Sequence, residues 1–485
     1  MYDPERWGLP LEAIEGLGHR LYQFWQRFAV LFRTKTRDGG PYAYRYLSGL
    51  LRMESHRNFT NIGRQTGVAG QNLQHFMSNS PWSAQPVFAQ VQQEIAGKPE
   101  LARGGMLLLD ESADEKAGEQ TAGAGRQYNG RLGKVDLSQV GTFLAYSNVS
   151  PAMPAPVWTW VDGELFLPER WFAPELAKER QRLGIPADRQ FATKVELGWR
   201  LIQRALAHGL PFEAVACDDL YGRSTWLRRN LDQAGIVYLA DVPANTQVYL
   251  SRPTVGVPAR APGQRGRRPS RPQVLSGEKP VEVRAVGRRE DTVWREAQVR
   301  ATERGELRAE FAVRRVWTNR DGTPGAEEWL VLRREADGDL SYSLSNAPAA
   351  TPWERLAWLK CQRYFAERAN EDAKSELGWD ELQAQKYPAW EHHLALTVLA
   401  TWFVAETKLN LAREYPRDPA LARQLEVEVL PALSVANVRA LLRATMPLPQ
   451  LTPEQAAILV TTHLINRTRS RKSRLKSQHR SHSPP

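Results

Sequence analysis

One stretch limits what this chain can fold into more than any other: Gly105-Met106-Leu107-Leu108-Leu109-Asp110-Glu111-Ser112. A short apolar run that ends abruptly in acid reads as a buried strand whose last residue emerges at the edge of a sheet. Ala214-Val215-Ala216-Cys217-Asp218-Asp219 repeats the pattern downstream. A single acid in such a place is most often a cap or a surface carboxylate. Two of them, each ending a buried strand, bring charge to one sheet edge and so define a place where chemistry can be done.

The rest of the chain can be ordered around these strands. Residues 1–100 read as mostly helical, with Leu21, Phe24, Trp25, Phe28, Ala29 and Phe32 spaced for one core face. Within them, 57–68 and 71–77 predict two short helices with a glycine between, the helix-turn-helix pattern whose second helix enters a major groove. From 105 onward the spacing predicts strands at 106–110, 139–147 and 157–161, a helix over 194–208, a strand at 215–218, a helix over 224–233 and a strand at 236–240. Early strands joined by loops pair antiparallel, and the later two are added through helical crossovers. This order predicts an α/β fold of the ribonuclease H-like layout, a mixed five-stranded sheet flanked by helices, across 101–242. Its final helix is delayed. A Pro/Gly/Arg-rich stretch and alternating segments at 281–286, 293–299, 307–317, 328–333 and 340–345 predict a β-rich insertion over 243–348. Helical patterning returns for the last core helices at 349–412 and for a C-terminal block at 413–465. The Arg/Lys/Ser tail, 466–485, is low in complexity.

Charge narrows the partner. The net charge of +11 is concentrated in 252–289 and in the tail, which suits a polyanion, nucleic acid first. Two cysteines, Cys217 and Cys361, offer neither a disulfide framework nor a zinc site and read as small buried side chains. Met1-Tyr2-Asp3-Pro4-Glu5-Arg6 has no basic-then-apolar leader, and the longest apolar run, Leu394 to Ala405, is too short to span a bilayer core of about 30 Å. The expectation is a soluble intracellular protein with no membrane partner.

A third acid comes from the late helices. Arg363, Glu367 and Lys374 stand at i, i+4 and i+11, about three turns in all, so a continuous helix puts them on one face. Asp110, Asp218 and Glu367 then supply three carboxylates to one sheet edge. Oxygen ligands of this kind suit Mg²⁺ or Mn²⁺, and a pair of such ions activates a hydroxyl and steadies a leaving oxygen in phosphodiester chemistry. Arg363 can grip phosphate bidentately and Lys374 gives a point charge. Between the first two strands, Gly130 and Gly133 permit close backbone approach while Arg126, Arg131 and Lys134 supply phosphate contacts near the first aspartate. Asp219, Glu371 and Glu376 compete for the acidic roles but lack the spacing. His392 and His393 fit a structural or DNA-contacting role, and Trp294, Trp317 and Trp329 are core residues or base-stacking platforms.

These residues carry a resemblance. Arg363-x3-Glu367-x6-Lys374 is similar to the Y-x2-R-x3-E-x6-K signature of DDE-class transposases of bacterial insertion sequences, with Lys360 where the signature has tyrosine. Asp110-Glu111-Ser112, the block from Arg126 to Asp136, Gln139-Val140-Gly141 and Ala216-Cys217-Asp218-Asp219-Leu220-Tyr221-Gly222 resemble the DDE superfamily endonuclease group, whose usual forms are Asp-Asp-Thr and Ala-Asp-Ser-x-Tyr-Gly. Lys374 to Asp380 and Trp390-Glu391-His392-His393 also fit. The resemblance spans roughly 45–410. It implies a transposase that binds terminal inverted repeats, cuts at the ends with two Mg²⁺ or Mn²⁺ ions held by Asp110, Asp218 and Glu367, and joins 3′-ends to target DNA. It further implies double-stranded DNA as partner, a homodimer in the DNA complex, and a bacterial cytoplasmic, nucleoid-associated setting. The alternatives are a nuclease of the same fold without strand transfer and a catalytically silent DNA-binding descendant.

Overall fold

The first strand does not stop at its acids. In the computed structural model, which describes residues 16–150, 153–259, 270–302, 305–335, 337–415 and 435–446, β1 spans Met106–Glu115 and carries Asp110 in its middle. After β2 (Gly125–Asn129), the long β3 (Lys134–Asn148) pairs antiparallel with β1, Met106 opposite Ser147 and Glu115 opposite Ser138. That ladder carries β1 past its apolar run, which the periodicity alone ends at Asp110. On the other side the parallel partner β5 (Ala214–Cys217) gives out at the pair Leu109–Cys217. From Asp110 onward β1 therefore has a strand on one side only.

With β4 (Val157–Leu165) on β3 and β6 (Val237–Asp241) parallel to β5, the central order is β4-β3-β1-β5-β6. This is the ribonuclease H-like α/β arrangement the sequence predicts. Helix α6 (Lys194–Ala207) is opened by a capping box between Thr193 and Glu196, and α7 (Thr225–Gln233) by the Ser224 side chain.

The sheet does not end at five strands. The insertion supplies β7 (Gln247–Tyr249), β8 (Val281–Glu282), β9 (Arg295–Thr302), β10 (Gly305–Arg320), β11 (Thr323–Arg334) and β12 (Leu340–Ser345). β12 pairs antiparallel with β6 through Ser343–Asp241 and Leu344–Ala240. One 12-stranded sheet results, because the insertion covers the open edge that β6 would otherwise present. The segment expected as a strand over 281–286 turns instead into a short helix at Val283, whose Val283 and Val286 are buried in the insertion's own core.

Helices α1 (Leu17–Phe28), α2 (Gly40–Arg52), α3 (Phe59–Thr66), α4 (Gly70–Asn79) and α5 (Gln85–Ala96) precede the sheet. They share one hydrophobic core with it, so residue 100 marks a change of secondary structure and not a separate core. The late helices are α8 (Trp353–Gln362), α9 (Tyr364–Glu371), α10 (Tyr387–Glu414) and α11 (Val435–Thr445). α10 is the axis of the molecule. At 28 residues it is longer than the apolar run at 394–405 suggests and has the length and composition to cross a membrane, but its apolar window is 94% buried inside the protein. Thr159 of β4 bonds Thr401 at 3.0 Å, and Phe24 of α1 meets Phe403 edge-on at 5.2 Å. His392 and His393 are structural. The ring nitrogens of His392 lie 2.8 Å from the Met77 and Trp82 carbonyls, and those of His393 lie 3.0 Å from the Tyr46 hydroxyl and 3.1 Å from the Trp379 carbonyl. The basic tail lies outside the described residues.

Candidate metal centre

Where β5 gives out, a notch opens beside β1. Successive residues on a strand point to opposite faces, so Asp110 and Glu111 begin apart. Asp110 lies on the face covered by α9, where its Oδ2 accepts a 3.1 Å bond from Asn370 Nδ2, itself oriented by Trp160 Nε1 at 3.0 Å. Glu111 lies on the α6 face, where Lys194 Nζ reaches its Oε1 at 3.3 Å. Asp218, the first residue past β5, sits at the open edge. Its Oδ1 accepts from the Leu220 and Tyr221 amides at 3.0 and 3.4 Å, which fixes the carboxylate as the cap of a one-turn helix. With no further strand between them, one oxygen from each of Asp110, Glu111 and Asp218 comes within 4.8 Å of the others.

This proximity is costly without a cation. Burial, then the charge of Asp218, pushes the Asp110 carboxyl up to about 7, with Arg363 opposing. Burial, then Glu111, pushes Asp218 up to about 6. Glu111 Oε2 is buried with no hydrogen-bond partner. An orphaned carboxylate oxygen beside two crowded carboxyls fits a hard divalent ion, since Mg²⁺ and Mn²⁺ take oxygen ligands and reverse the local electrostatics.

The other expected residues are placed differently. α8 and α9 meet at Arg363, whose backbone stays helical (φ −56°, ψ −29°), so that Arg363 and Glu367 keep one face. The chain then passes into a π-turn over Asp372–Glu376 that takes Lys374 off the regular spacing. Glu367 is 55% exposed and paired with Arg363 at 2.5 Å, outside the carboxylate cluster. Arg363 is also held by Asp241 at the end of β6, Nε to Oδ2 at 3.1 Å. The same carboxylate accepts from Lys360 Nζ at 2.7 Å and from Ser343 Oγ at 2.5 Å. Lys360 therefore stands where the signature has tyrosine as a buried cation with its own counter-charge. Lys374 turns toward β1 beyond the acids, bonding the Ala113 carbonyl at 3.1 Å and lying 3.7 Å from Asp114.

Arg126, Arg131 and Lys134 are exposed on the β2–β3 hairpin, whose turn uses Gly133 at φ 64°. They are not near the first aspartate. Asp110 faces Phe143, while Arg126 faces Leu137 and Lys134 lies nine residues along β3 from Phe143. At the rise of a strand these separations are roughly 20 and 30 Å. Arg131 pairs with Glu115, and Lys134 with Asp136 at 3.0 Å.

Glu111 is the residue the sequence reading passed over. Strand alternation argues against neighbours sharing a site, and only the missing strand beyond Cys217 brings both faces to one notch. Its position directly after the strand-borne aspartate was the available signal.

A ribonuclease H-like sheet that gathers carboxylates where its parallel strand gives out is the architecture of the DDE class. Residues 27–306 match the family model described as DDE superfamily endonuclease, which is more than half of the chain. The chain belongs to that family. It is 27% identical over 357 residues to a protein of Microchaete diplosiphon named "Probable transposase for insertion sequence element IS701", with 71% of this chain and 77% of that protein covered. The family match takes in Asp110, Glu111 and Asp218 and ends before Arg363, Glu367 and Lys374.

Proposed function

We propose that this DDE-family chain is a DNA transposase that binds the terminal inverted repeats of an insertion sequence, cleaves at the ends by metal-dependent phosphodiester hydrolysis and transfers the 3′-hydroxyls to target DNA. The observation that carries this reading is the notch of Asp110, Glu111 and Asp218 with its orphaned oxygen. Asp110, Asp218 and Glu111 would hold the cation, with Glu367 a further carboxylate from α9; two such ions would lower the pKa of an attacking water and neutralise charge on the phosphate.

The chain's own groups do the positioning. Arg363, fixed from behind by Asp241, offers its remaining donors to the scissile phosphate beside Asp110 and Asp218. Lys374, on the far side of the acids along β1, meets the next phosphates of the strand. The hairpin cations Arg126, Arg131 and Lys134 engage the backbone about six to nine base pairs away, given 3.4 Å per base pair. Cutting two ends and inserting them together calls for at least two copies in the working complex.

The test is cleavage of a labelled linear duplex carrying the element's own ends, in Mg²⁺ or Mn²⁺, by wild type and by Asp110→Ala, Asp218→Ala, Glu111→Ala and Glu367→Ala. Nicking at the ends that disappears in Asp110→Ala and Asp218→Ala, with end binding kept, supports the reading. Cleavage that survives Glu367→Ala and fails in Glu111→Ala makes Glu111 the third ligand. Binding without cleavage by every protein leaves a silent DNA-binding chain, and cleavage without joining of pre-cut ends leaves an endonuclease.

A further inference from the structure

Glycines at three places force α3 and α4 into one geometry. A Cβ on Gly63 would lie 2.4 Å from the Val68 carbonyl oxygen and 2.9 Å from the Gly70 nitrogen, and one on Gly70 would lie 2.7 Å from the Thr60 Cα. Gly67 ends α3 in the left-handed conformation, φ 72°. Backbones this close, with a left-handed turn between them, are the arrangement in which the second helix of a helix-turn-helix is presented to a groove.

The inner side of α4 is fully committed. Leu73, Phe76 and Met77 are buried, Phe76 stacks on Trp82 at 5.4 Å, and His392 of α10 meets the Met77 carbonyl. The outer side is exposed and presents Gln71, Asn72, Gln74 and His75, all within the first six residues of the ten-residue helix. No Asp or Glu occurs between Phe59 and Asn79. Cations flank this face: exposed Arg64 on α3 and Lys386, which bonds Asn79 at 2.5 Å at the far end of α4.

This surface lacks charge where bases are read and has it where phosphates are met. Gln and Asn side chains pair bidentately with adenine N6 and N7 in the major groove, while Arg and Lys on the flanks grip phosphate without regard to sequence. We infer that α4 is a base-reading helix that selects A·T pairs in duplex DNA through Gln71, Asn72, Gln74 and His75, with Arg64 and Lys386 seating it on the backbone. The inference rests on the reading of this chain as a DNA-acting protein, but not on its catalysis.

The experiment is selection from a duplex pool with a randomised core, using the full chain in EDTA, for wild type, for Asp110→Ala, for Arg64→Ala and for the quadruple variant Gln71→Ala/Asn72→Ala/Gln74→Ala/His75→Ala. The four residues are exposed, and an unchanged melting temperature confirms that the quadruple variant folds. Wild type and Asp110→Ala should enrich the same A·T-containing core. Replacing its adenines by 7-deazaadenine, which lacks the N7 acceptor, should weaken wild-type binding roughly tenfold or more per contacted base. The quadruple variant should bind all sequences alike, and Arg64→Ala should lose affinity evenly across sequences. Enrichment of the same core by the quadruple variant, indifference of wild type to 7-deazaadenine, or a G·C-only core overturns the inference. A chain that selects the core but never cleaves refutes the catalytic reading and leaves this one standing.

Discussion

Replacing Asp218 by asparagine should make the metal-free protein more stable while abolishing its response to cations. Asparagine keeps the Oδ1 acceptor for the Leu220 and Tyr221 amides, so the change subtracts charge and spares the turn. The clustered carboxylate oxygens lie within 4.8 Å of one another. Two unit charges at that separation repel by about 3.5 kcal/mol at an effective dielectric of about 20. Solvent at the half-buried notch reduces this to roughly 1–2 kcal/mol. For a chain of this length that is a rise in melting temperature of about 1–4 °C. Asp110 and Asp218 both bind their protons more tightly in the folded state, at about 7 and about 6. The cluster's cost is therefore absent below about pH 4 and grows as pH rises through the folded values. Thermal melts in EDTA should show Asp218→Asn above wild type at about pH 7.5 and level with it near pH 4. Adding Mg²⁺ in excess should raise wild type but not the variant. A variant that melts below wild type in EDTA at the higher pH, or that gains as much from Mg²⁺, would refute the reasoning.

Asp241→Ala should destabilise the fold by about 3–5 kcal/mol in denaturant titrations, because Lys360 is left as an uncompensated buried charge; Asp241→Leu combined with Lys360→Met should recover most of that loss. Gly63→Ala, forced against the Val68 carbonyl, should cost about 1–3 kcal/mol by the same titration and weaken DNA binding more than a substitution at the half-buried Gln65, Gln65→Ala. Leu394→Ala, which empties the contact between α10 and Gly163 of β4, should cost about 2–5 kcal/mol. Thr193→Ala removes the capping box of α6 and should cost about 1 kcal/mol, read as a lowered denaturation midpoint.

The strands of the central sheet were legible because their apolar runs are short, uniform and bounded by acids or turns, and α6 and α7 because their caps are written in Thr193 and Ser224. Strand ends were not. Glu111–Glu115 and Lys134–Ser138 are rich in polar residues, and only their pairing makes them strand, the first with Ser138–Thr142 and the second with Gly125–Asn129, a long-range fact that local pattern does not contain. The sequence located Asp110 and Asp218 correctly as neighbours. It did not show that the gap after Cys217 admits Glu111, or that a π-turn over Asp372–Glu376 takes Lys374 off the helical spacing. The insertion's strands were legible as a β-rich segment, but their joining to the central sheet through β12 was hidden for the same reason: two residue pairs at a seam leave no local trace.

That seam has a mechanical meaning. The insertion joins the catalytic sheet edge to edge through Ser343–Asp241 and Leu344–Ala240, and Asp241 is also the residue that grips Arg363 and Lys360. The joint is braced on both sides, by Arg228 and Tyr238 on Glu328 and by Phe311 packed with Ala357 and Cys361 of α8, so the Asp241 carboxylate sits inside a broad contact between insertion and sheet. The strand pair that closes the sheet edge thus also fixes a guanidinium whose charge acts on Asp110 and Asp218, and the aim of Arg363 is built into the join between insertion and sheet.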